Sequence, residues 1–246
     1  MNNKKYTRGK WLALWITLAV AAILAVVVSI FLNQNKAQSF NEDPAFWEAE
    51  IQGIEARYNG DYPQDGIVFI GSSSIRKWKT LADDMQPFTA LNHGFGGSKI
   101  KDSTHYLDRL VFPFNPQAVV VFAGTNDVNG VEGASKTSEQ VYQGFVEFVD
   151  AVRAEEPEMP IYYISISPSN ARWKVWADAN EANQRISAYC ETQDKVTFIN
   201  TTEQLLGADG KPNKDLYVFD GLHLNADGYA VWTSIIKPVL DADLAQ

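Results

Sequence analysis

The chain has a single cysteine, Cys190, and only three histidines, His93, His105 and His223, in 246 residues. One cysteine excludes an intramolecular disulfide, and no Cys/His cluster has the spacing of a metal site. Cys190 falls in a helical pattern and reads as an inert buried thiol. Acidic side chains are missing from the first 41 residues, where Lys4, Lys5, Arg8, Lys10 and Lys36 are the only charges. The remainder then holds 16 cations against 30 acids, a net of −14 within an overall −9. A body this acidic lacks the basic footprint of nucleic-acid binding and is repelled by anionic lipid surfaces. Internal repeats and low-complexity stretches are lacking too. A composition of 46% hydrophobic and 21% charged residues excludes a disordered chain.

One apolar run stands apart. From Trp11 to Leu32 no residue is charged, and Thr17 and Ser29 are the polar interruptions. About 20 apolar residues suffice to cross the hydrocarbon core. A cleaved signal peptide has a shorter apolar region, about 7–15 residues, and a small-residue cleavage site. Asn33–Gln38 offers a poor one, so the run reads as an uncleaved signal anchor. The basic residues ahead of it hold the N-terminus in the cytoplasm and place everything after residue 33 outside it, which is the periplasm if the cell is Gram-negative. No cysteine follows the run to carry a lipid. The expected organisation is a cytoplasmic basic tail (1–10), a transmembrane anchor (11–32), a polar tether (33–41) and one globular domain (42–246).

Within that domain, Asp43-Pro44 starts a helix as N-cap and first residue. Phe46, Trp47, Ile51, Ile54 and Tyr58 continue it at helical spacing to about Arg57. Five short apolar runs follow: Ile67–Ile70, Phe88–Leu91, Ala118–Phe122, Ile161–Ile166 and Val196–Ile199. They are continuously hydrophobic, as strands of a parallel sheet covered on both faces are. Amphipathic stretches separate them, notably one from the Thr137…Gln140 capping box to Pro157. Others cover 177–192 and 226–240. Strand–helix alternation over about 200 residues makes a three-layer α/β domain with right-handed crossovers.

In such a sheet, ligands meet the carboxyl ends of the strands, and the first three strands end in unusual loops. After the first comes Gly71-Ser72-Ser73-Ser74-Ile75-Arg76-Lys77-Trp78. A serine there can offer its hydroxyl as a nucleophile and its N–H to an oxyanion; serines also serve as plain N-caps. Residue chemistry does not choose among Ser72, Ser73 and Ser74. The Lys of a phosphate-binding loop and the second glycine of a G-x-S-x-G elbow are both missing. After the second strand, Asn92-His93-Gly94-Phe95-Gly96-Gly97-Ser98 lets backbone N–H groups approach a ligand, or simply makes a tight turn. After the third, Gly124-Thr125-Asn126-Asp127 can aim an amide NH2 into the same cleft or serve as turn residues. Near the end, Asp220-Gly221-Leu222-His223 places an Asp three residues before a His. The carboxylate can then fix the imidazole tautomer and leave the other nitrogen free as a base.

Together these four segments make up a complete acyl-transfer site, and from residue 67 onward the chain resembles the SGNH hydrolases, or GDSL-type esterases. The resemblance rests on Ile67–Ile75, Asn92–Ser98, Gly124–Asp127 and Asp220–Asn225. It implies a flavodoxin-like fold with a five-stranded parallel sheet ordered 2-1-3-4-5, and Ser73 as nucleophile with Asp220 and His223 as its partners. It implies an oxyanion hole from the N–H groups of Ser73 and Gly97 and the Asn126 amide, with adjacent Gly96 competing for the middle role. The chain departs from the family signature at Ser72, where an Asp is expected, and His93 stands where similar sequences carry Arg. No cofactor or metal is called for. The expected activity is carboxylic ester hydrolysis through an acyl-enzyme, on short acyl groups of a small molecule or glycan. Trp173, Trp176, Arg172 and Lys174, in the loop after the fourth strand, are candidates for contacting a sugar or an acidic group, or for packing on the body. A lysophospholipase or thioesterase is the alternative chemistry, and a non-catalytic carbohydrate-binding module the alternative of a different class.

Overall fold

The computed structural model describes residues 3–244. The chain divides into two units, residues 1–41 and 42–246. The first is a helix, α1 (Asn3–Phe40), whose segment Trp11–Ile30 is long and apolar enough to cross a membrane, a property it shares with signal sequences. The helix does not stop at the end of the apolar run: the polar stretch from Asn33 onward continues it. That stretch has no Gly or Pro to break a helix, and the first proline is Pro44.

The second unit opens with Asp43, whose carboxylate accepts from the Ala45 N–H. A 3₁₀ turn (Pro44–Trp47) follows and leads into α2 (Glu48–Glu55). Then come β1 (Ile67–Gly71), α3 (Ser73–Lys77), α4 (Leu81–Asp84), β2 (Ala90–Gly94), α5 (Ile100–His105), α6 (Leu107–Leu110) and β3 (Ala118–Phe122). After these run α7 (Ser138–Glu155), β4 (Ile161–Ile164), α8 (Trp176–Cys190), β5 (Val196–Ile199) and α9 (Ala226–Leu244). All strand pairings are parallel and the order is β2-β1-β3-β4-β5, as the resemblance implies.

Alternate residues of each strand feed opposite faces. Ala118, Val120 and Phe122 pack with Trp78, Leu81 and Trp232 beneath α3, α4 and α9. Val119 and Val121 pack with Phe145, Phe148 and Ile186 beneath α7 and α8, a core that also takes Trp47 from the 3₁₀ turn and Ile51 and Ile54 from α2. Both faces being dry is why the strands read as unbroken apolar runs. The capping box of α7 forms as expected, with Thr137 Oγ1 accepting from the Gln140 N–H at 3.2 Å and Gln140 returning a bond to the Thr137 N–H.

The second strand departs from expectation. It covers Ala90–Gly94 rather than Phe88–Leu91, so Asn92 and His93 belong to the sheet, opposite Phe69 and Ile70. Both polar side chains are satisfied there. The Asn92 amide donates to the Ile75 and Trp78 carbonyls. His93 is wholly buried between the Leu110 carbonyl (2.6 Å from Nδ1) and the Tyr58 hydroxyl (2.7 Å from Nε2).

Candidate active site

The site begins with a backbone constraint. Gly71 ends β1 at φ +132°, and a Cβ there would sit 2.1 Å from the Phe122 carbonyl oxygen of β3. Only glycine lets the chain turn so close to its neighbour strand. Ser72 follows as N-cap of α3, its N–H donating to that same carbonyl, and Ser73 opens the helix at the carboxyl end of the sheet. Ser72 is buried and the Ser74 carbonyl accepts from the Tyr229 hydroxyl. Ser73 is the serine that faces a base: its Oγ lies 2.8 Å from His223 Nε2.

His223 comes from the turn before α9, a helix that Asn225 caps by accepting from the Gly228 N–H. Gly221, at φ +63°, folds the turn back so that Asp220 meets the ring. Asp220 Oδ2 lies 2.6 Å from His223 Nδ1, and Asp220 Oδ1 accepts from the N–H groups of Leu222 (2.8 Å) and His223 (3.0 Å). A carboxylate can only accept, so Nδ1 carries the proton and Nε2 is left to accept from the Ser73 hydroxyl. Burial works to raise the Asp220 carboxyl but is outweighed by the hydrogen bonds from His223 and Leu222, and the net position is below the ordinary value. Burial pushes His223 down, Asp220 pushes it up, and the nearby cations Lys77 and Arg76 push it down again; the net is below 6.5. The imidazole is therefore a neutral base at pH 7.

Lys77 is a site residue that the reading of the sequence overlooked. One helical turn after Ser73, it shares that face of α3, and its Nζ lies 3.0 Å from His223 Nδ1 and 4.0 Å from Asp220 Oδ2. The spacing of four was the available signal. Because the Nδ1 proton already goes to Asp220, the ammonium acts on the ring through its charge.

The remaining expected donors sit on loops after β2 and β3. Gly97 has φ +82°, and neither its N–H nor that of Ser73 donates to an acceptor among the described residues. At Gly96 a Cβ would lie 2.5 Å from the Arg76 guanidinium, so that position has no room for a side chain. The Asn126 amide gives one hydrogen to the Ser98 carbonyl at 2.9 Å, which ties the two loops together and leaves its second hydrogen available. Beside it Asp127 is buried, accepting from the Ile100 N–H and paired with Lys136 at 3.7 Å. Burial raises its carboxyl to about 6 despite Lys136. It anchors the loop rather than facing Ser73's partners.

A cavity touching Ser73, Asn126, Leu222 and His223 leaves about 10 Å³ for the centre of a water-sized sphere. A broader hollow of about 490 Å³ borders Asp220 and is rimmed by Asn170, Lys214 and Phe219, a phenyl ring with no burial at all. Trp173 and Trp176 stack on each other, centroids 6.1 Å apart and planes within 10°, and Trp176 packs against the core. Arg172 is half-buried, and its Nε has no hydrogen-bond partner among the described residues. Among the described residues no group of three or more His, Cys, Asp or Glu side chains is placed to hold a metal ion.

Comparison with known proteins bears on the family and the fold. An N-acylneuraminate cytidylyltransferase from Escherichia coli O18:K1:H7 is 26% identical over 176 residues, 71% of this chain; the chain spans about two fifths of that enzyme's length (40%). A GDSL-like lipase from Bacteroides thetaiotaomicron shares the fold with a TM-score of 0.64 at 22% identity, covering 77% of this chain and 98% of its own. A carbohydrate esterase of family 3 from Talaromyces cellulolyticus does so with a TM-score of 0.58 at 19% identity, covering 73% and 97%. The sequence profile of the GDSL-like lipase/acylhydrolase family matches residues 65–231, which takes in Ser73, Gly97, Asn126, Asp220 and His223. The chain belongs to the GDSL-like lipase/acylhydrolase family.

Proposed function

We infer that the protein is a serine ester hydrolase that removes short acyl groups from alcohols, including alcohols on carbohydrate. The observation carrying this is the relay in which Asp220 holds His223 Nδ1 at 2.6 Å and Nε2 meets Ser73 Oγ at 2.8 Å. His223 takes the proton as Ser73 Oγ attacks the ester carbonyl. The resulting oxyanion is held by the Ser73 and Gly97 N–H groups and the free hydrogen of the Asn126 amide. The carbonyl carbon then expels the alcohol, which leaves with the proton from His223. Water repeats the cycle on the acyl-enzyme.

Short acyl groups are favoured by the size of the cavity at Ser73. The cavity leaves about 10 Å³ for the centre of a water-sized sphere, against about 490 Å³ in the hollow beside Asp220, and this narrow space supports a short acyl group over a long alkyl chain. Carbohydrate is supported by the larger hollow beside Asp220, where Phe219 and Lys214 offer a flat apolar face and a cation. The fold shared with a carbohydrate esterase and the match to an enzyme named for N-acylneuraminate point the same way. The apolar helix is read as an anchor that keeps residues 1–10 in the cytoplasm and the hydrolase domain outside.

The test uses the full chain in detergent with 4-nitrophenyl esters from C2 to C16. Turnover should peak at C2–C4, and Ser73→Ala should abolish it while Ser72→Ala and Ser74→Ala retain it. A peak at C8 or beyond defeats the short-acyl reading in favour of a lysophospholipase or thioesterase. Failure of Ser73 to react with a fluorophosphonate leaves the non-catalytic module as the better account. Extraction of the chain from membranes by alkaline carbonate would remove the anchor.

A further inference from the structure

The loops that carry Gly97 and Asn126 are tied to each other at two points. The Asn126 amide donates to the Ser98 carbonyl at 2.9 Å, and Ser98 Oγ donates in turn to the Phe95 carbonyl at 3.0 Å. Two residues further on, the Ile100 N–H donates to the Asp127 carboxylate at 3.3 Å. Residues 98–100 and 126–127 are thus stitched twice, and Gly97 lies directly before the first stitch.

Between the two stitches stands Lys99, a lysine only 2% exposed. A buried ammonium is costly unless it is paired. Its partner is Glu42, the first residue of the globular unit, whose Oε1 lies 2.5 Å from Lys99 Nζ. Lys101 reaches the same residue, its Nζ pairing with Glu42 Oε2 and donating to the Glu42 carbonyl at 2.5 Å. Burial works to raise the Glu42 carboxyl, but the hydrogen bonds from Lys101 and Lys99 outweigh it and hold it down at about 2, so it stays ionised at neutral pH. The main chain of Lys99 is pinned as well, its N–H donating to Asp102 Oδ2 at 2.8 Å. Starting α5 does not require a lysine here, because any residue but proline supplies that N–H. What the ion pair adds is geometry: the ammonium must meet its carboxylate, and the residue after Ser98 is held where that happens.

We propose that Lys99 is a positioning residue for the oxyanion hole: held by Glu42, it fixes the Gly97–Ser98 backbone so that the Gly97 N–H and the Asn126 amide meet the same oxygen. This rests on the ester-hydrolase reading above and adds to it a residue that touches no substrate. Without the pair, residues 97–98 are free to shift, and the Asn126 amide shifts with them through its bond to the Ser98 carbonyl. The charge these donors meet develops only as the tetrahedral intermediate forms, so the loss falls on kcat and not on KM.

The experiment measures kcat and KM for 4-nitrophenyl acetate with the full chain in detergent, for the parent, Lys99→Met, Lys99→Arg and Glu42→Gln, each also in an Asn126→Ala background. Lys99→Met should lower kcat about tenfold with KM unchanged, a part of the roughly 10²–10³ that outright loss of a donor costs. Lys99→Arg, which keeps a cation for Glu42, should recover most of that loss. Glu42→Gln should lower kcat in the same direction, and with its side chain 57% exposed it tests the pair even where Lys99→Met fails to fold. In the Asn126→Ala background both losses should be much smaller, because one of the donors being positioned is gone. Equal losses in the two backgrounds, a change confined to KM, a Lys99→Arg as slow as Lys99→Met, or an unchanged kcat in Glu42→Gln overturns the assignment and leaves the esterase reading standing. No turnover by the parent overturns both.

Discussion

His93 and His223 are the same residue in two settings, and the contrast between them separates structure from chemistry. Both rings are held at both nitrogens, and burial drives both below the ordinary histidine value. His93 donates to the Leu110 carbonyl and accepts from the Tyr58 hydroxyl, at the carboxyl end of β2 but within the core. Nothing in its surroundings reacts, and its pKa of about 4 keeps it neutral. His223 has a carboxylate where His93 has a carbonyl, and a half-exposed serine where His93 has a phenol. A carbonyl fixes a tautomer. A carboxylate also stabilises the imidazolium that must form when Ser73 gives up its proton.

Exchanging the two sites' fortunes is the sharpest way to test this contrast. His223→Gln should lower kcat/KM for acetate esters by roughly 10⁴–10⁶ while leaving the melting temperature near the parent's. His93→Gln should do the reverse, retaining turnover and costing about 1–3 kcal/mol of stability through broken buried hydrogen bonds. Denaturant unfolding read beside initial rates decides it, and a dead His93→Gln that melts normally would dissolve the distinction. Next in size, Asn126→Ala should lose about 10²–10³ in kcat with little change in KM, since its free amide hydrogen faces charge that develops only in the transition state. Loss of KM alone would place Asn126 in ground-state binding.

The pH dependences also differ. The folded pKa of His93 lies below its unfolded value of about 6.5, so the unfolded chain binds the extra proton between pH 6.5 and 4. His93's contribution is complete above about 6.5 and is lost as pH falls towards 4, up to about 3 kcal/mol. Urea unfolding at pH 7 and pH 4.5, parent against His93→Gln, measures it; equal pH sensitivity in both chains would count against it. At His223, kcat/KM should rise with pH through a midpoint below 6.5. Lys77→Met should move that midpoint upward and Lys77→Arg should restore it, the smallest effect here because Lys77 is part-exposed and screened by salt. A midpoint that Lys77→Met leaves in place would reduce Lys77 to a bystander.

Much of this was legible in the residues, and the gaps have physical causes. The ends of β3 and β5 agree with the apolar runs because apolar patterning alone decides them. The shift of β2 was invisible, since Asn92 and His93 look like loop residues until their distant partners, the Ile75, Trp78 and Leu110 carbonyls, come into place. Asn33–Phe40, expected as part of a polar tether, continues the helix, since nothing in its sequence ends one. Among Ser72, Ser73 and Ser74, side-chain chemistry is identical. The choice depends on which hydroxyl meets an imidazole 150 residues away, and only tertiary structure expresses that.

Cys190 is 5% exposed at the end of α8, and burial lifts its thiol to about 12. With the lone thiol sealed in this way, maturation of the domain requires no oxidant, and it can proceed alike in a reducing or an oxidising compartment. Thiol-directed electrophiles find no anion to attack in the folded chain. Reagents that seek an activated hydroxyl can therefore be used at high concentration, with Ser73 as the one position they are expected to mark.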